Sequence, residues 1–235
     1  PDWPFCYGSP IPIADSTAII EMAHRFFAGS VSVLIIGICL VTLRRRFSPR
    51  LTALSILSLV TLAVQIILGA LTVWLKLAWW TVAAHLGTGM LALGSMVVMA
   101  WEWRGAPRPS NSARLAAAAV FVLLLTGGAV SGSGAALACG VEFPIGWPLC
   151  AGSLLPNPAA LGFAQWLHRG VVALTVALVI IASFRAVRRG PGAARRWAIL
   201  AVIAIFAQAA VGALMVMSLK PDWLAVLHNA TAAFT

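Results

Sequence analysis

Charged side chains are scarce in this chain of 235 residues, at 9%, and only six of them are Asp or Glu against 16 Lys and Arg. Soluble domains carry about 25% charged residues, so this content excludes an ordinary soluble protein. The net charge of +10 would indicate a nucleic-acid partner in a soluble protein. Here, however, twelve Arg fall in short gaps between apolar stretches, as in membrane loops, which excludes nucleic acid as a partner.

Hydrophobic residues make up 61% of the chain, and they cluster in runs of the length that crosses a bilayer, about 20 residues. Six such runs are present, and a seventh begins near Trp223 and is too short to cross before Thr235. The chain is therefore predicted to be an all-α integral membrane protein. The runs lie at about residues 17–43, 51–75, 81–101, 115–136, 161–184 and 197–218.

Loop charge alternates along the chain and predicts its orientation. The Arg-rich gaps are expected in the cytoplasm and the cysteine-bearing loops outside, because Lys and Arg are retained on the cytoplasmic side. Loops rich in Ala and Arg favour a bacterial plasma membrane. The Arg-rich gaps are residues 44–50, 104–114 and 185–196.

The chain also contains an internal repeat. The segment WPFC at residues 3–6 reappears as WPLC at residues 147–150, and each copy is followed by His-Arg at the same spacing. Gln-x-x-x-Gly-Ala-Leu likewise occurs twice, each time with a His 20 residues after the Gln. So many matches predict a tandem duplication.

The duplication predicts two four-helix bundles, with eight spans when complete and about seven present here. The expected units are residues 1–103, without their first helix, and residues 104–235. Since an even number of helices gives both units one orientation, a pseudo-twofold axis along the membrane normal should relate them. The sequence begins without Met in an outer loop, so a fragment is expected.

All four histidines of the chain occupy matched positions of the repeat, a few residues inside the outer ends of their spans: His24 and His85, then His168 and His228. Two imidazoles from facing helices at similar depth are what six-coordinate haem iron requires. Each His could instead be a packed polar residue that bonds across helices. A zinc or copper site is disfavoured because no Cys or carboxylate cluster joins the pairs within the membrane.

The two copies differ at one position beside the histidines. Glu21-x-x-His24 in the first unit becomes Gln165-x-x-His168 in the second. A Glu three residues before a His shares its helix face. We therefore expect Glu21 to serve proton transfer in the first pocket, with a structural ion pair to an Arg as the alternative.

Basic and polar neighbours complete the predicted pockets. Arg25 and Arg169 adjoin the histidines and are expected to pair with haem propionates or to extend to lipid headgroups. Gln65 and Gln208 lie within apolar helices and are predicted to form interhelical hydrogen bonds.

The cysteines fit an outer, oxidising location. Cys139 and Cys150 are expected to form a disulfide that folds the loop over the second pocket. Exchange of electrons with a thiol–disulfide partner is the alternative. Cys6 is expected to pair with a Cys upstream of Pro1, whereas Cys39 lies deep in a helix as a small core residue.

Together these segments resemble the heme A synthase family, the membrane enzymes that convert haem O to haem A. The resemblance covers nearly the whole chain and is carried by EMAHR, AAHLGTG, WLHR and VLHN, which contain the four histidines, and by the outer loop CGVEFPIGWPLC.

The resemblance implies a role for each site residue. The first unit would hold the substrate haem O between His24 and His85, with Glu21 needed for the oxidation. His168 and His228 would ligate a permanent haem b that transfers electrons. The implied reaction turns the C8 methyl into a formyl group by successive hydroxylation and loss of water. An electron donor or acceptor is implied, and haem O synthase or oxidase assembly factors are candidate partners.

Two other functions fit the same residues. A dihaem b-type cytochrome that oxidises quinol or thiol would keep both haems permanently. A catalytically silent relative could serve oxidase assembly, although Glu21 argues against it.

Overall fold

The computed structural model describes residue 3, residue 8, residues 16–45 and residues 47–233. Within these ranges the chain forms seven α-helices and one 3₁₀ turn, without a β-strand. Six of these helices are long and apolar enough to cross a membrane, which confirms the predicted all-α membrane class. The elements are α1 (Ser16–Arg45), α2 (Pro49–Trp74), α3 (Trp79–Trp103), α4 (Asn111–Ser133), the 3₁₀ turn (Ala135–Leu137), α5 (Gly162–Arg189), α6 (Gly192–Met217) and α7 (Asp222–Ala232).

The chain divides into two compact units, residues 1–107 and residues 108–235. In the first unit α1 packs on α2 and α2 on α3. In the second, α4 packs on α5, α5 on α6, and α6 on α7. Each helix is therefore packed chiefly on its neighbours along the chain. The predicted domain roles and the axis between the units stay predictions.

Short polar side chains fix where two of the helices begin. Ser48 accepts a hydrogen bond from the backbone N–H of Leu51 at 3.2 Å, and Pro49 takes the first helical position of α2. Ser110 accepts in the same way from the N–H of Ala113 at 3.3 Å. Such caps satisfy backbone N–H groups that have no partner inside the helix. Both caps lie in predicted Arg-rich gaps, which are therefore connections between spans.

Small side chains bring α2 and α3 together in the first unit. The buried hydroxyls of Ser58 and Ser95 lie 2.7 Å apart across the two helices. Lipid tails give helices no hydrophobic drive to associate, so close packing and interhelical hydrogen bonds do this work. Cys39 is fully buried beside Leu51 and Met99, which confirms it as a small core residue.

Candidate functional site

The two histidines of the first unit lie on helices that both pack on α2. His24 is on α1 and His85 is on α3, and among the described residues these helices have no extensive contact with each other. His24 is exposed and His85 is half-buried. The structure thus places the two histidines on helices that share α2 as a neighbour, and their pairing stays a prediction.

A glutamine, a threonine and a glycine surround the ring of His85. Nε2 of Gln65, on α2, lies 3.3 Å from Nε2 of His85. The hydroxyl of Thr88, one turn after His85, donates to Oε1 of Gln65. Gly69 faces the ring so closely that an added Cβ would lie 3.2 Å from Cε1 of His85. The ring is therefore oriented from α2 as well as from its own helix.

The same three residue types surround the ring of His228 in the second unit. Nε2 of Gln208, on α6, lies 3.1 Å from Nδ1 of His228 and donates to the backbone carbonyl of the same residue at 2.7 Å. Thr231 donates to Oε1 of Gln208 at 2.6 Å. A Cβ added at Gly212 would lie 2.7 Å from Cε1 of His228. The chain therefore contains two copies of one Gln–Thr–His arrangement.

The predicted interhelical hydrogen bonds of Gln65 and Gln208 are confirmed. Sequence reasoning missed that their partners are the two histidines, and it missed Thr88 and Thr231 altogether. The signal was present, because a Thr follows the His by three residues in both copies of the repeat. Residues three apart share a helix face, so each Thr lies beside its His and reaches the same Gln.

His168, on α5, has its own supports on α4. Its predicted partner His228 lies on α7, and the pairing of the two stays a prediction. The hydroxyl oxygen of Thr126 lies 3.0 Å from Nδ1 of His168. A Cβ added at the next residue, Gly127, would lie 3.3 Å from Cε1 of the ring. Neither of these two α4 residues was indicated by the sequence pattern.

Glu21 forms an ion pair with Arg25, one turn further along α1. Both side chains are largely shielded, with 22% of Glu21 and 17% of Arg25 exposed. The contact uses Oε1 of the carboxylate, which has a second oxygen. The ion pair that was predicted as the alternative to a proton-transfer role is therefore present. Both of its residues lie on α1, the helix that carries His24.

The matched position in the second unit does something different. Gln165 is 3% exposed and accepts from the backbone N–H of Cys139 at 2.7 Å. Its Nε2 donates to the carbonyl oxygen of Ala136 at 2.6 Å. One donated and one accepted bond require an amide, since an ionised carboxylate has no proton to give to a carbonyl. Gln165 therefore ties the start of the outer loop to α5.

Arg169 binds the same outer loop further along. Its Nη1 donates to the carbonyl oxygens of Gly146 and Leu149, at 2.6 and 3.3 Å. The sequence left haem propionates or lipid headgroups as partners of Arg169, and loop carbonyls were not foreseen. Gln165 and Arg169 therefore fasten the loop at two points.

A disulfide joins Cys139 to Cys150, as predicted. Both sulfurs lie 3.4 Å from the carbonyl oxygen of Gly162, the first residue of α5. A Cβ added at Gly162 would lie 2.9 Å from Sγ of Cys150, so a side chain there would displace the bridge. The predicted disulfide of Cys6 concerns a residue outside the described part of the chain.

Comparison with known proteins identifies the family. A model of the COX15-CtaA family, described as cytochrome oxidase assembly protein, matches residues 1–235. The chain belongs to the COX15-CtaA family. It is 28% identical to the heme A synthase of Exiguobacterium sibiricum, over 97% of this chain and 78% of the relative. For the heme A synthase of Shouchella clausii the identity is 29%, over 92% and 76%.

A third relative agrees with this assignment. The heme A synthase of Symbiobacterium thermophilum is 31% identical over 76% of this COX15-CtaA chain and 62% of its own length. These matches confirm the predicted resemblance to the heme A synthase family.

The histidine pairs of this COX15-CtaA protein fit a haem iron. Nδ1 of His85 is buried and has no hydrogen-bond partner among the described residues, a state that a buried polar atom rarely keeps. In the second unit Nδ1 of His168 is engaged by Thr126, which leaves Nε2 of that ring for a metal. The two imidazoles of each pair come from separate helices and would hold the iron of a haem between them.

Gly212→Ala should displace the ring of His228, because the new methyl would lie 2.7 Å from its Cε1 atom. If His228 ligates a haem, as the resemblance implies, we expect haem binding to fall about 10- to 100-fold, the usual range for losing support of a metal ligand. Gly192→Ala is the matched control on the same helix, since its Cβ would meet no atom within 4 Å. The measurement is the haem content of the purified variants. Equal haem content in Gly212→Ala and Gly192→Ala would show that the ring of His228 does not need the space beside Gly212.

Proposed function

We propose that this protein is a heme A synthase that oxidises the C8 methyl of haem O to the formyl group of haem A. Haem O is the substrate of the first unit, between His24 and His85, and haem b is resident in the second, between His168 and His228. Support comes from the family match and from the names of the relatives. The observation that carries the proposal is the difference between Glu21 and its matched residue in otherwise similar units.

Glu21 is the proton acceptor in this proposal. Conversion of a methyl to a hydroxymethyl group with the oxygen of water releases two electrons and two protons, so the electrons pass to an electron acceptor and a base beside the substrate takes up a proton. Arg25 pairs with the carboxylate through its Oε1 atom. The guanidinium of Arg25 is also available to a propionate of the substrate. Haem b, when bound, supplies one-electron transfer.

The second unit lacks a base at this position because Gln165 cannot accept a proton at neutral pH. Its amide and Arg169 hold the disulfide-bearing loop against α5. A loop fastened in this way favours retention of a haem, whereas a substrate site must release its product. The difference between the units thus supports one exchanging and one permanent haem.

We further propose a bacterial plasma membrane as the location, in line with the bacterial relatives. The Arg-rich connections face the cytoplasm and the Cys139–Cys150 loop faces outward, as the distribution of Arg indicates. An electron donor or acceptor completes the reaction, and haem O synthase or oxidase assembly factors are the candidate protein partners.

One observation favours a dihaem electron-transfer cytochrome as a second candidate. The ion pair between Glu21 and Arg25 gives the carboxylate a structural use that needs no chemistry. In that case both units would hold permanent haem b and the protein would oxidise a quinol or thiol.

Pigment analysis separates the two functions. The full-length protein is purified from cells that make haem O, and the extracted haems are identified by chromatography and mass. Haem b together with haem O, a hydroxylated intermediate or haem A supports the synthase. Two equivalents of haem b and no other haem would establish the dihaem cytochrome instead.

A further inference from the structure

Thr126 lies where it can determine which nitrogen of His168 carries the proton. Its Oγ1 is 3.0 Å from Nδ1 of His168 and 2.9 Å from the carbonyl oxygen of Leu123. A hydroxyl has one proton, and a carbonyl oxygen can only accept. The proton of Thr126 can go to the carbonyl oxygen of Leu123, and Oγ1 can then accept a hydrogen bond from Nδ1–H of His168.

A neutral imidazole has a single N–H, so a proton on Nδ1 leaves the lone pair on Nε2. We propose that Thr126 is a positioning residue that holds His168 in the tautomer whose Nε2 binds the iron of haem b. The inference rests on the proposed function, because it needs a haem in the second unit. It concerns a residue on α4, a helix that contains no histidine.

The neighbouring residue makes this contact sterically feasible. A Cβ added at Gly127 would lie 3.3 Å from Cε1 of His168. A larger residue at this position would therefore push the ring away from α4. The pair Thr126-Gly127 thus combines a hydrogen-bond acceptor with the space for the ring. When a metal-bound His donates its other ring N–H to an acceptor, the ligand becomes more basic and its orientation is fixed.

Helix packing alone would be another use for Thr126, and the protein contains a control for it. Thr175 is fully buried on α5 and donates to the carbonyl oxygen of Ala119 on α4 at 3.4 Å. Both threonines therefore form polar contacts between α4 and α5, but the contact of Thr175 involves no histidine. Thr126→Val and Thr175→Val remove one hydroxyl each without a large change of volume.

The experiment compares full-length wild type, Thr126→Val, Thr126→Ser and Thr175→Val in detergent. The readouts are haem b retention, the midpoint potential of the haem b and its low-spin ferric EPR signal. For Thr126→Val we expect affinity for haem b to fall about 10- to 100-fold. Its midpoint potential should rise, because a less basic ligand stabilises ferric iron less. Thr126→Ser should restore both values, and Thr175→Val should match wild type.

Identical potentials, EPR signals and haem retention in Thr126→Val and Thr175→Val would overturn the inference and leave the proposed function standing. Wild type without haem b would overturn the proposed function itself. If Thr126→Val fails to fold, the Ser variant decides. A wild-type midpoint potential in Thr126→Ser supports the role of the hydroxyl. A midpoint potential above that of wild type and of Thr175→Val contradicts it.

Discussion

Glu21→Gln should stop the conversion of haem O to haem A while haem b stays bound. Gln has nearly the same shape as Glu but accepts no proton and carries no charge for Arg25. Loss of a positioned acid–base group typically costs about 10²- to 10⁴-fold in rate. The purified variant should therefore accumulate unprocessed haem O, which chromatography of the extracted haems would show.

Glu102→Gln is the matched control for this prediction. Glu102 lies on α3 of the same unit and forms an ion pair at 3.2 Å with Arg50 on α2. Its loss removes a Glu–Arg ion pair without touching the residues around His24. Normal haem A formation in Glu102→Gln and a block in Glu21→Gln is the expected pattern. Normal haem A formation in both would mean that Glu21 serves structure alone.

His168→Ala should remove haem b from the second unit and leave the first unit able to bind haem O. Ligation by two imidazoles is lost when one of them is truncated, and the support that Thr126 gives from α4 then has no ring to hold. We expect the low-spin haem b signal to disappear and haem A formation to cease, because the electron-transfer group is missing. Absorption spectra and extracted haems measure both effects.

His85→Ala is the reciprocal variant. It removes a ligand of the first unit, so haem O binding should be lost while the haem b signal of the second unit remains. Spectra that change in the same way for both variants would contradict separate substrate and cofactor sites. Loss of haem b from His85→Ala alone would reverse the proposed assignment of the units.

The membrane architecture could be predicted because it depends on local properties of the chain. Apolar runs of sufficient length and Arg-rich gaps reveal helices and connections without knowledge of tertiary contacts. Two of the gaps contain serine caps, Ser48 and Ser110, which set helix boundaries close to the predicted ones. The repeat then pointed to the histidine pairs, because four rare residues matched within it.

The partners of the site residues depended on the fold. Whether Glu21 faces a substrate or an arginine, and whether Arg169 meets a propionate or a loop, is decided by side-chain direction and by neighbours distant in sequence. Gln165 could be identified as the counterpart of Glu21, but its bonds to Cys139 and Ala136 exist only because the loop folds back on α5.

The sequence by itself determined the six spans and the disulfide between Cys139 and Cys150, since these depend on length, spacing and residue type. The duplication and the histidine pairs are predictions from the same kind of signal. Only the tertiary structure decided what orients three of the rings: Thr126 on α4 for His168, Gln65 on α2 for His85, and Gln208 on α6 for His228. The physical reason is that a side chain at one helix's surface reaches the next helix. Contacts of this kind leave no periodic signal along the chain.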